Sequence, residues 1–307
     1  MPAEHPLPAV PLVPLCANGP KLSAIVAGAW RMAEWKLSRV ERVRWIEECV
    51  ELGVTSFDHA DIYGDYQVET LFGEALAAAP ALRARVQLVS KCGIKLVSTN
   101  RPSHGAKSYD TSRAHILASV DRSLVSLGVD HLDLLLLHRL DALMDPNEVA
   151  ETFADLRQSG KVRHVGVSNH SPSQFAMLHR RCSLATNQVE LSPLQMSVLS
   201  DGTLDQSIDL GIRPMIWSPL GGGRIFTESD ASAVRVRAAL EQVGADHGVE
   251  APTIAYAWLL RHPSRPVPIT GSRRISAIRE AVAALDVSLS SDEWYSIWVA
   301  GAGRQVP

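Results

Sequence analysis

Two ionisable side chains, Asp58 and Tyr63, follow each other closely at the end of a short predicted strand. Residues 56–64 have the pattern of a strand and then reach Gly64, which is typical of a turn. An aspartate beside a phenol makes chemical sense when a lysine lies between them, because an ammonium lowers the pKa of a nearby phenol. Lys91, at the end of another apolar strand, can supply that ammonium.

A histidine, His138, closes a third apolar strand, so three strand ends together present one ionisable cluster. Reduction of a carbonyl needs a hydride on carbon and a proton on oxygen, and in a dry pocket a positioned acid must supply the proton. We predict Tyr63 as that acid, with Lys91 lowering the pKa of its phenol. Asp58 is expected to hold the ammonium, and His138 to hydrogen-bond and orient the carbonyl oxygen.

The elements that must position this cluster alternate along the chain. The predicted strands are 25–28, 55–59, 86–92, 132–138, 162–168, 186–191, 213–218 and 266–270. The predicted helices are 38–52, 67–78, 111–127, 146–159, one opened by Ser171-Pro172, then 204–210, 231–247, 252–261, 276–285 and 290–299. Eight strands, several apolar on both faces, predict an α/β fold in which a parallel sheet closes into a (β/α)8 TIM barrel.

Two further segments complete the predicted fold. Residues 13–17 and 22–26 flank Asn18-Gly19, which predicts an N-terminal β-hairpin whose two turn residues both have positive φ. Residues 1–12 are Pro-rich and are expected to be a flexible tail rather than a signal peptide. We therefore expect residues 13–307 to form a single domain, a barrel with extra C-terminal helices.

Composition limits the classes of function. The chain has 307 residues, a formal net charge of −3 and interrupted basic clusters, so nothing favours nucleic acid. No apolar run approaches the roughly 20 residues that a membrane helix needs. The four cysteines form no C-x-x-C pair, so we predict no metal site, no disulfide framework and a reducing cytoplasm. We expect a cytoplasmic monomer or weak homo-oligomer that acts on a small molecule.

Seven motifs in this sequence resemble, in the same order, those of the aldo-keto reductase superfamily. The resemblance runs from roughly Val13 to the last helix and implies the same four roles for Asp58, Tyr63, Lys91 and His138. The motifs are Asp58-x-Ala60-x-x-Tyr63-Gly64, Ser90-Lys91, Leu137-His138, Gly166-Val167-Ser168-Asn169, Asn187-Gln188, Trp217-Ser218-Pro219-Leu220-Gly221-Gly222 and Ile269-x-Gly271-Ser272.

The resemblance also implies a nicotinamide dinucleotide that lies extended across the mouth of the barrel. No Gly-x-Gly-x-x-Gly follows a strand, so a Rossmann domain is not expected. The residues that we expect to bind the cofactor are Gly28, Trp30, Ser168, Asn169, Gln188, Trp217, Ser218, Pro219, Leu220, Gly221, Gly222, Arg224, Gly271, Ser272 and Arg273.

These residues suit different parts of a dinucleotide. The amide and hydroxyl groups of Ser168, Asn169 and Gln188 suit the nicotinamide carboxamide, and by resemblance the Trp217 ring stacks on the nicotinamide. Backbone N–H groups of residues 221–223 can approach a pyrophosphate closely, where Arg224 adds charge. By analogy, Trp30 and Tyr66 line the substrate pocket. The loop 95–110, with Arg101, His104 and Lys107, either covers its mouth or is an ordinary solvated excursion.

The identity of the cofactor depends on the stretch Gly271-Ser272-Arg273-Arg274. A hydroxyl, guanidinium groups and a helix N-terminus there suit an adenosine 2′-phosphate, which favours NADP(H) over NAD(H). The sequence departs from the family at two places close by. Many members carry a further arginine where this chain has Ala277, and an asparagine where it has Ala281.

We therefore predict an NADPH-dependent reductase that converts an aldehyde or ketone to an alcohol. One alternative is a nucleotide-sensing regulatory or interaction subunit of the same fold, in which turnover is incidental. A second alternative is an aldolase-like barrel of class I, in which Lys91 forms a Schiff base with the substrate.

Overall fold

The computed structural model describes residues 7–306. Its strands are β1 (Leu12–Pro14), β2 (Lys21–Ser23), β3 (Val26–Gly28), β4 (Ser56–Asp58), β5 (Gln87–Cys92), β6 (Ile94–Lys95), β7 (Ser108–Tyr109), β8 (Leu132–Leu137), β9 (Val162–Ser168), β10 (Asn187–Glu190), β11 (Met215–Trp217) and β12 (Val267–Thr270).

The helices lie between and after these strands. They are α1 (Arg39–Glu51), α2 (Tyr63–Tyr66), α3 (Val68–Ala78), α4 (Arg113–Leu127), α5 (Pro146–Gln158), α6 (Pro172–His179), α7 (Thr203–Asp209), α8 (Arg224–Thr227), α9 (Ala231–His247), α10 (Ala251–Leu260), α11 (Ile275–Ala283) and α12 (Ser291–Ala302). None of the helices within residues 7–306 is both long and apolar enough to cross a membrane.

Eight of the strands close into a parallel barrel in the order β3-β4-β5-β8-β9-β10-β11-β12. The predicted (β/α)8 barrel is confirmed, and each predicted barrel strand and helix occurs within a few residues of its expected bounds. Serine and aspartate caps begin several helices as the sequence indicates. At Ser171, for example, the side chain accepts a hydrogen bond from the backbone N–H of Gln174, and Pro172 occupies the first turn.

The predicted hairpin pairs β1 with β2 and closes the N-terminal end of the barrel. Leu15 and Leu22 are fully buried in the inner core cluster with Val26 and Met215, and Arg213 donates its backbone N–H to the carbonyl of Leu15. The prediction of a tight turn with two positive φ angles is wrong, however. The loop spans residues 15–20, and Asn18 is its only residue with positive φ, at 61°.

The structure differs from the expected tail over residues 1–12. Residues 1–6 lie outside the described part of the chain, whereas Leu12 already belongs to β1. Leu7 and Val10 pack against the outer core, and Pro11 accepts a hydrogen bond from the backbone N–H of Ala24. The apolar side chains of Leu7 and Val10 therefore hold residues 7–12 to the barrel.

Candidate active site

Lys91 lies at the centre of the predicted cluster. Its Nζ donates hydrogen bonds to Asp58 Oδ2 at 2.7 Å, to the carbonyl of His59 at 2.7 Å and to Tyr63 Oη at 3.0 Å. Lys91 is 1% exposed, and an ammonium so deeply buried is tolerated only with a full set of partners. The three acceptors satisfy its three N–H groups.

The aspartate that faces this ammonium is itself held on its other side. Gln188 donates Nε2–H to Asp58 Oδ1 at 2.8 Å, so both carboxylate oxygens of Asp58 have partners. We predicted Gln188 from the strand end as a nicotinamide contact. In the structure this amide supports the Asp58–Lys91 pair as well as lining the cavity.

Burial controls the pKa of the Tyr63 phenol. It raises this pKa above the usual value because the phenolate is poorly solvated, while the Lys91 ammonium acts in the opposite direction. The expected lowering of the Tyr63 pKa is therefore wrong for this structure. The phenol stays protonated at neutral pH.

The histidine of the cluster faces the same phenol. The ring centroids of Tyr63 and His138 are 5.8 Å apart with an edge-on geometry. Burial, together with the positive charges of Lys91 and Arg139, holds the pKa of His138 well below its usual value. A neutral imidazole has one N–H, so His138 can donate a single hydrogen bond to an oxygen placed before it.

A left-handed turn delivers Tyr63 to the site. Gly64, Asp65 and Tyr66 have φ values of 54°, 56° and 66°. A Cβ on Gly64 would lie 2.7 Å from Cβ of Ala33, so the turn requires glycine at that position.

These side chains border a cavity of about 1070 Å³ at the C-terminal end of the barrel. Asp58, Tyr63 and His138 line it, whereas Lys91 lies beneath its floor. Most of the predicted cofactor residues also line the cavity. They are Gly28, Trp30, Ser168, Asn169, Gln188, Trp217, Ser218, Pro219, Leu220, Gly222, Gly271 and Ser272.

The sequence model of the aldo/keto reductase family matches residues 24–299. This chain belongs to the aldo/keto reductase family. Oxidoreductase YdhF of Escherichia coli strain K12 is 48% identical over 297 residues, which cover 96% of this chain and 99% of that protein. A 6-dehydroglucose reductase of Agrobacterium fabrum strain C58 is 40% identical, with 93% and 96% covered. A crystal structure of an aldo/keto reductase from Klebsiella pneumoniae in complex with NADP and acetate superimposes with a TM-score of 0.74 at 26% identity, with 93% and 94% covered.

Three predicted cofactor residues of this aldo/keto reductase lie outside the cavity lining: Gly221, Arg224 and Arg273. Arg224 is exposed, and its Nη2 lies 3.7 Å from Asp230 Oδ2. Next to Arg273 in the chain, Arg274 lines the cavity instead.

A chain of hydrogen bonds fixes the polar groups at the β9 and β11 ends. Trp217 donates its indole N–H to Asn169 Oδ1 at 3.0 Å, and Asn169 donates to Ser168 Oγ at 2.7 Å. The Ser168 hydroxyl donates in turn to the carbonyl of Gln188. The indole ring that lines the cavity is thus held in one orientation.

Several lining residues were not predicted, among them two arginines. Arg31 donates to the carbonyl of Gly222 at 3.2 Å and lies 5.1 Å from the centroid of the Trp30 ring. Arg139 lies 5.8 Å from the centroid of the Trp217 ring. The position of Arg139 directly after His138 at a strand end was the signal that could have identified it.

The loop 95–110 reaches the cavity, and of its three residues singled out from the sequence Lys107 alone lines it. Lys107 and Tyr109 line the wall, whereas Arg101 and His104 do not. Tyr66 also lies outside the lining, which corrects its expected place in the pocket. Its phenol accepts a hydrogen bond from the backbone N–H of Leu96 at 2.8 Å.

Behind the site, Asp61 and His59 are buried ionisable groups. Burial, with the nearby charge of Glu69, raises the pKa of Asp61 to about 8. Burial lowers the pKa of His59 to about 3, and neither of its ring nitrogens has a hydrogen-bond partner. Both groups are therefore uncharged at pH 7.

We expect the buried Asp61 to make stability decrease as pH rises. A carboxyl whose pKa is raised by folding stabilises the protein below its unfolded pKa, and this contribution is lost as pH rises through the folded pKa. Above about pH 7.5, where His59 is largely neutral in both states, Asp61 contributes a loss of up to about 1.4 kcal/mol per pH unit until pH passes its folded pKa. Asp61→Asn is expected to reduce the slope of the unfolding free energy in urea titrations. Asp246→Asn, at an exposed position on α9, is the control, and an unchanged slope in Asp61→Asn would contradict the assignment.

Proposed function

We propose that this chain reduces an aldehyde or ketone to the alcohol with NADPH as the hydride donor. The observation that carries the proposal is the bonding of Lys91, whose Nζ joins Asp58 to Tyr63 below a cavity that Tyr63 and His138 face. The balanced reaction consumes one carbonyl compound, one NADPH and one proton, and yields the alcohol and NADP⁺.

Each residue of the cluster has one proposed task. Tyr63 donates its phenolic proton to the carbonyl oxygen, and the phenolate that remains is stabilised by the Lys91 N–H at 3.0 Å. His138 donates its N–H to the same oxygen and orients it. The raised pKa of Tyr63 keeps the acid protonated between turnovers.

The walls of the cavity fit a nicotinamide dinucleotide. The indole of Trp217 gives a flat apolar face, and the Asn169 and Gln188 amides lie beside it. Glycine-rich backbone at residues 221–223, where φ is positive at every residue, presents polar backbone to the mouth. When bound, the reduced nicotinamide supplies the hydride. The Klebsiella relative that binds NADP supports the choice of this cofactor.

The aldolase alternative is disfavoured by the state of its nucleophile. A lysine that attacks a carbonyl must be an unprotonated amine, which requires a lowered pKa. Burial acts in that direction on Lys91, but the charge and hydrogen bonds of Asp58 and Tyr63 outweigh it and raise the pKa of the ammonium. All three N–H groups are also engaged.

Arg274 provides the test of cofactor choice. We expect NADPH to bind more tightly than NADH, because a guanidinium on the cavity wall pairs with the 2′-phosphate. Arg274→Gln is expected to raise the Kd of NADPH by about 10- to 100-fold while changing that of NADH little. Quenching of tryptophan fluorescence measures both constants.

The matched control for this experiment is Arg279→Gln, since Arg279 is an exposed arginine of the same helix α11 outside the cavity lining. Equal Kd values for the two nucleotides in the unmodified protein would reject NADPH preference. Absence of binding by either nucleotide would reject the reductase function itself.

A further inference from the structure

Four cationic side chains line the cavity of a protein whose formal net charge is −3. They are Arg31, Lys107, Arg139 and Arg274. Of the two acids in the lining, Asp58 and Glu280, the first is committed to Lys91 by a buried 2.7 Å ion pair. The cavity is therefore locally positive, although the whole molecule is not.

Among these cations, the charge of Arg139 acts on the pKa values of both Tyr63 and His138. Arg139 follows His138 directly in the chain. Within residues 7–306, no carboxylate lies within 4.0 Å of its guanidinium, which rests over the ring of Trp217. Glu190 lies in its field but forms no such ion pair. A half-buried guanidinium that faces a cavity without an anionic partner has capacity to bind an oxyanion.

The cofactor phosphates do not account for this residue. Arg31 is joined by a hydrogen bond to Gly222, in the glycine-rich loop that we assign to the pyrophosphate. Arg274 lies directly before α11 and lines the cavity, and we assign the 2′-phosphate to this position. Arg139 instead follows His138 in the chain and its charge acts on Tyr63, so we assign the group that reaches it to the carbonyl substrate.

Aromatic side chains line the cavity together with these cations. Trp30 is 53% exposed and Tyr109 is 44% exposed, and both line the cavity. Such rings bind an apolar or flat body, while the cations bind a charge at its end. Lys107, on the same loop as Tyr109, also lines the cavity.

We infer that this site prefers carbonyl substrates that carry an oxyanion, a carboxylate or a phosphate, bound by Arg139 while the carbonyl faces Tyr63 and His138. The inference rests on the proposed reductase function and specifies its substrate class. The oxyanion takes no part in the reaction, so its effect belongs in KM rather than in kcat.

Matched pairs of aldehydes test the inference. We would compare 4-carboxybenzaldehyde with methyl 4-formylbenzoate, and glyceraldehyde 3-phosphate with glyceraldehyde, under NADPH. In at least one pair the charged member is expected to have a kcat/KM about 10- to 100-fold higher, mostly through a lower KM. The pair that shows the preference identifies carboxylate or phosphate as the anion. Added salt is expected to weaken the preference.

Variants connect the preference to the residue. Arg139→Gln is expected to remove most of the ratio between charged and neutral aldehydes, and Arg139→Lys to restore part of it. Arg44→Gln, an exposed charge change on α1, is expected to leave the ratio unchanged. Equal kcat/KM values within both pairs, or a preference that survives in Arg139→Gln, would overturn the inference while the reductase function stands. Failure to reduce any of the four aldehydes would overturn both.

Discussion

Tyr63→Phe is expected to lower kcat for carbonyl reduction by about 10²- to 10⁴-fold, the usual contribution of a positioned general acid. The phenyl ring keeps the wall of the cavity and its contact with His138, so only the proton donor is removed. Lys91 loses one of three acceptors but keeps Asp58 and the carbonyl of His59. We therefore expect the fold and the nucleotide site to remain.

The measurement is the rate of NADPH oxidation at saturating aldehyde, with the Kd of NADPH followed by fluorescence in the same preparations. An unchanged Kd beside the large loss in kcat separates proton donation from cofactor binding. His138→Gln serves as the comparison, because an amide can still orient the carbonyl oxygen but the proton donor remains in place; its loss should be smaller. Activity of Tyr63→Phe close to that of the unmodified protein would show that another group donates the proton.

Lys91→Met is expected to destabilise the protein by about 3–5 kcal/mol, since it leaves the buried carboxylate of Asp58 without its cation. Methionine matches much of the lysine stem in volume, so an empty cavity contributes little to the expected loss of stability. Urea unfolding of the variant and of the unmodified protein at the same pH measures this difference.

The double variant Asp58→Asn/Lys91→Met distinguishes the charge from the packing. Both buried charges are removed together, so we expect most of the lost stability to return. Activity should not return, because the phenolate of Tyr63 no longer has an ammonium beside it. A double variant as unstable as Lys91→Met alone would mean that the loss comes from the lysine stem rather than from the unpaired carboxylate.

Much of the barrel could be predicted because its information is local. Alternating apolar strands and capped helices appear in the sequence one after another, and parallel closure places Asp58, Lys91 and His138 at one end of the barrel. The bond between Gln188 and Asp58 joins residues 130 positions apart, and no local pattern encodes it. The same reason explains the wrong pKa direction for Tyr63, since the depth of burial depends on the whole fold.

The direction of side chains was the other property that the sequence could not predict. Arg224 follows three glycines and has the right charge for a phosphate, yet its side chain is exposed near Asp230 and lies outside the cavity lining. The sequence showed that Arg139 lies at a strand end. Its contact with Trp217, however, joins the ends of β8 and β11, which are not adjacent in the barrel. Polar residues at strand ends can thus be found in a sequence, while their partners require coordinates.

The turn over residues 64–66 has a consequence for altering substrate range. Tyr66 contacts the loop 95–110 at two places, because its phenol accepts the backbone N–H of Leu96 and lies 3.3 Å from His104 Nδ1. The guanidinium carbon of Arg101 also lies 4.5 Å from the centroid of its ring, so the loop is anchored to the segment that begins with Tyr63, the proposed proton donor. Gly105 and Ala106, by contrast, follow the last of these contacts, are exposed and lie outside the cavity lining. Lengthening the loop at this tip is therefore expected to reshape the entrance while the anchors keep the acid in position, which makes the tip an insertion point for redesign of specificity.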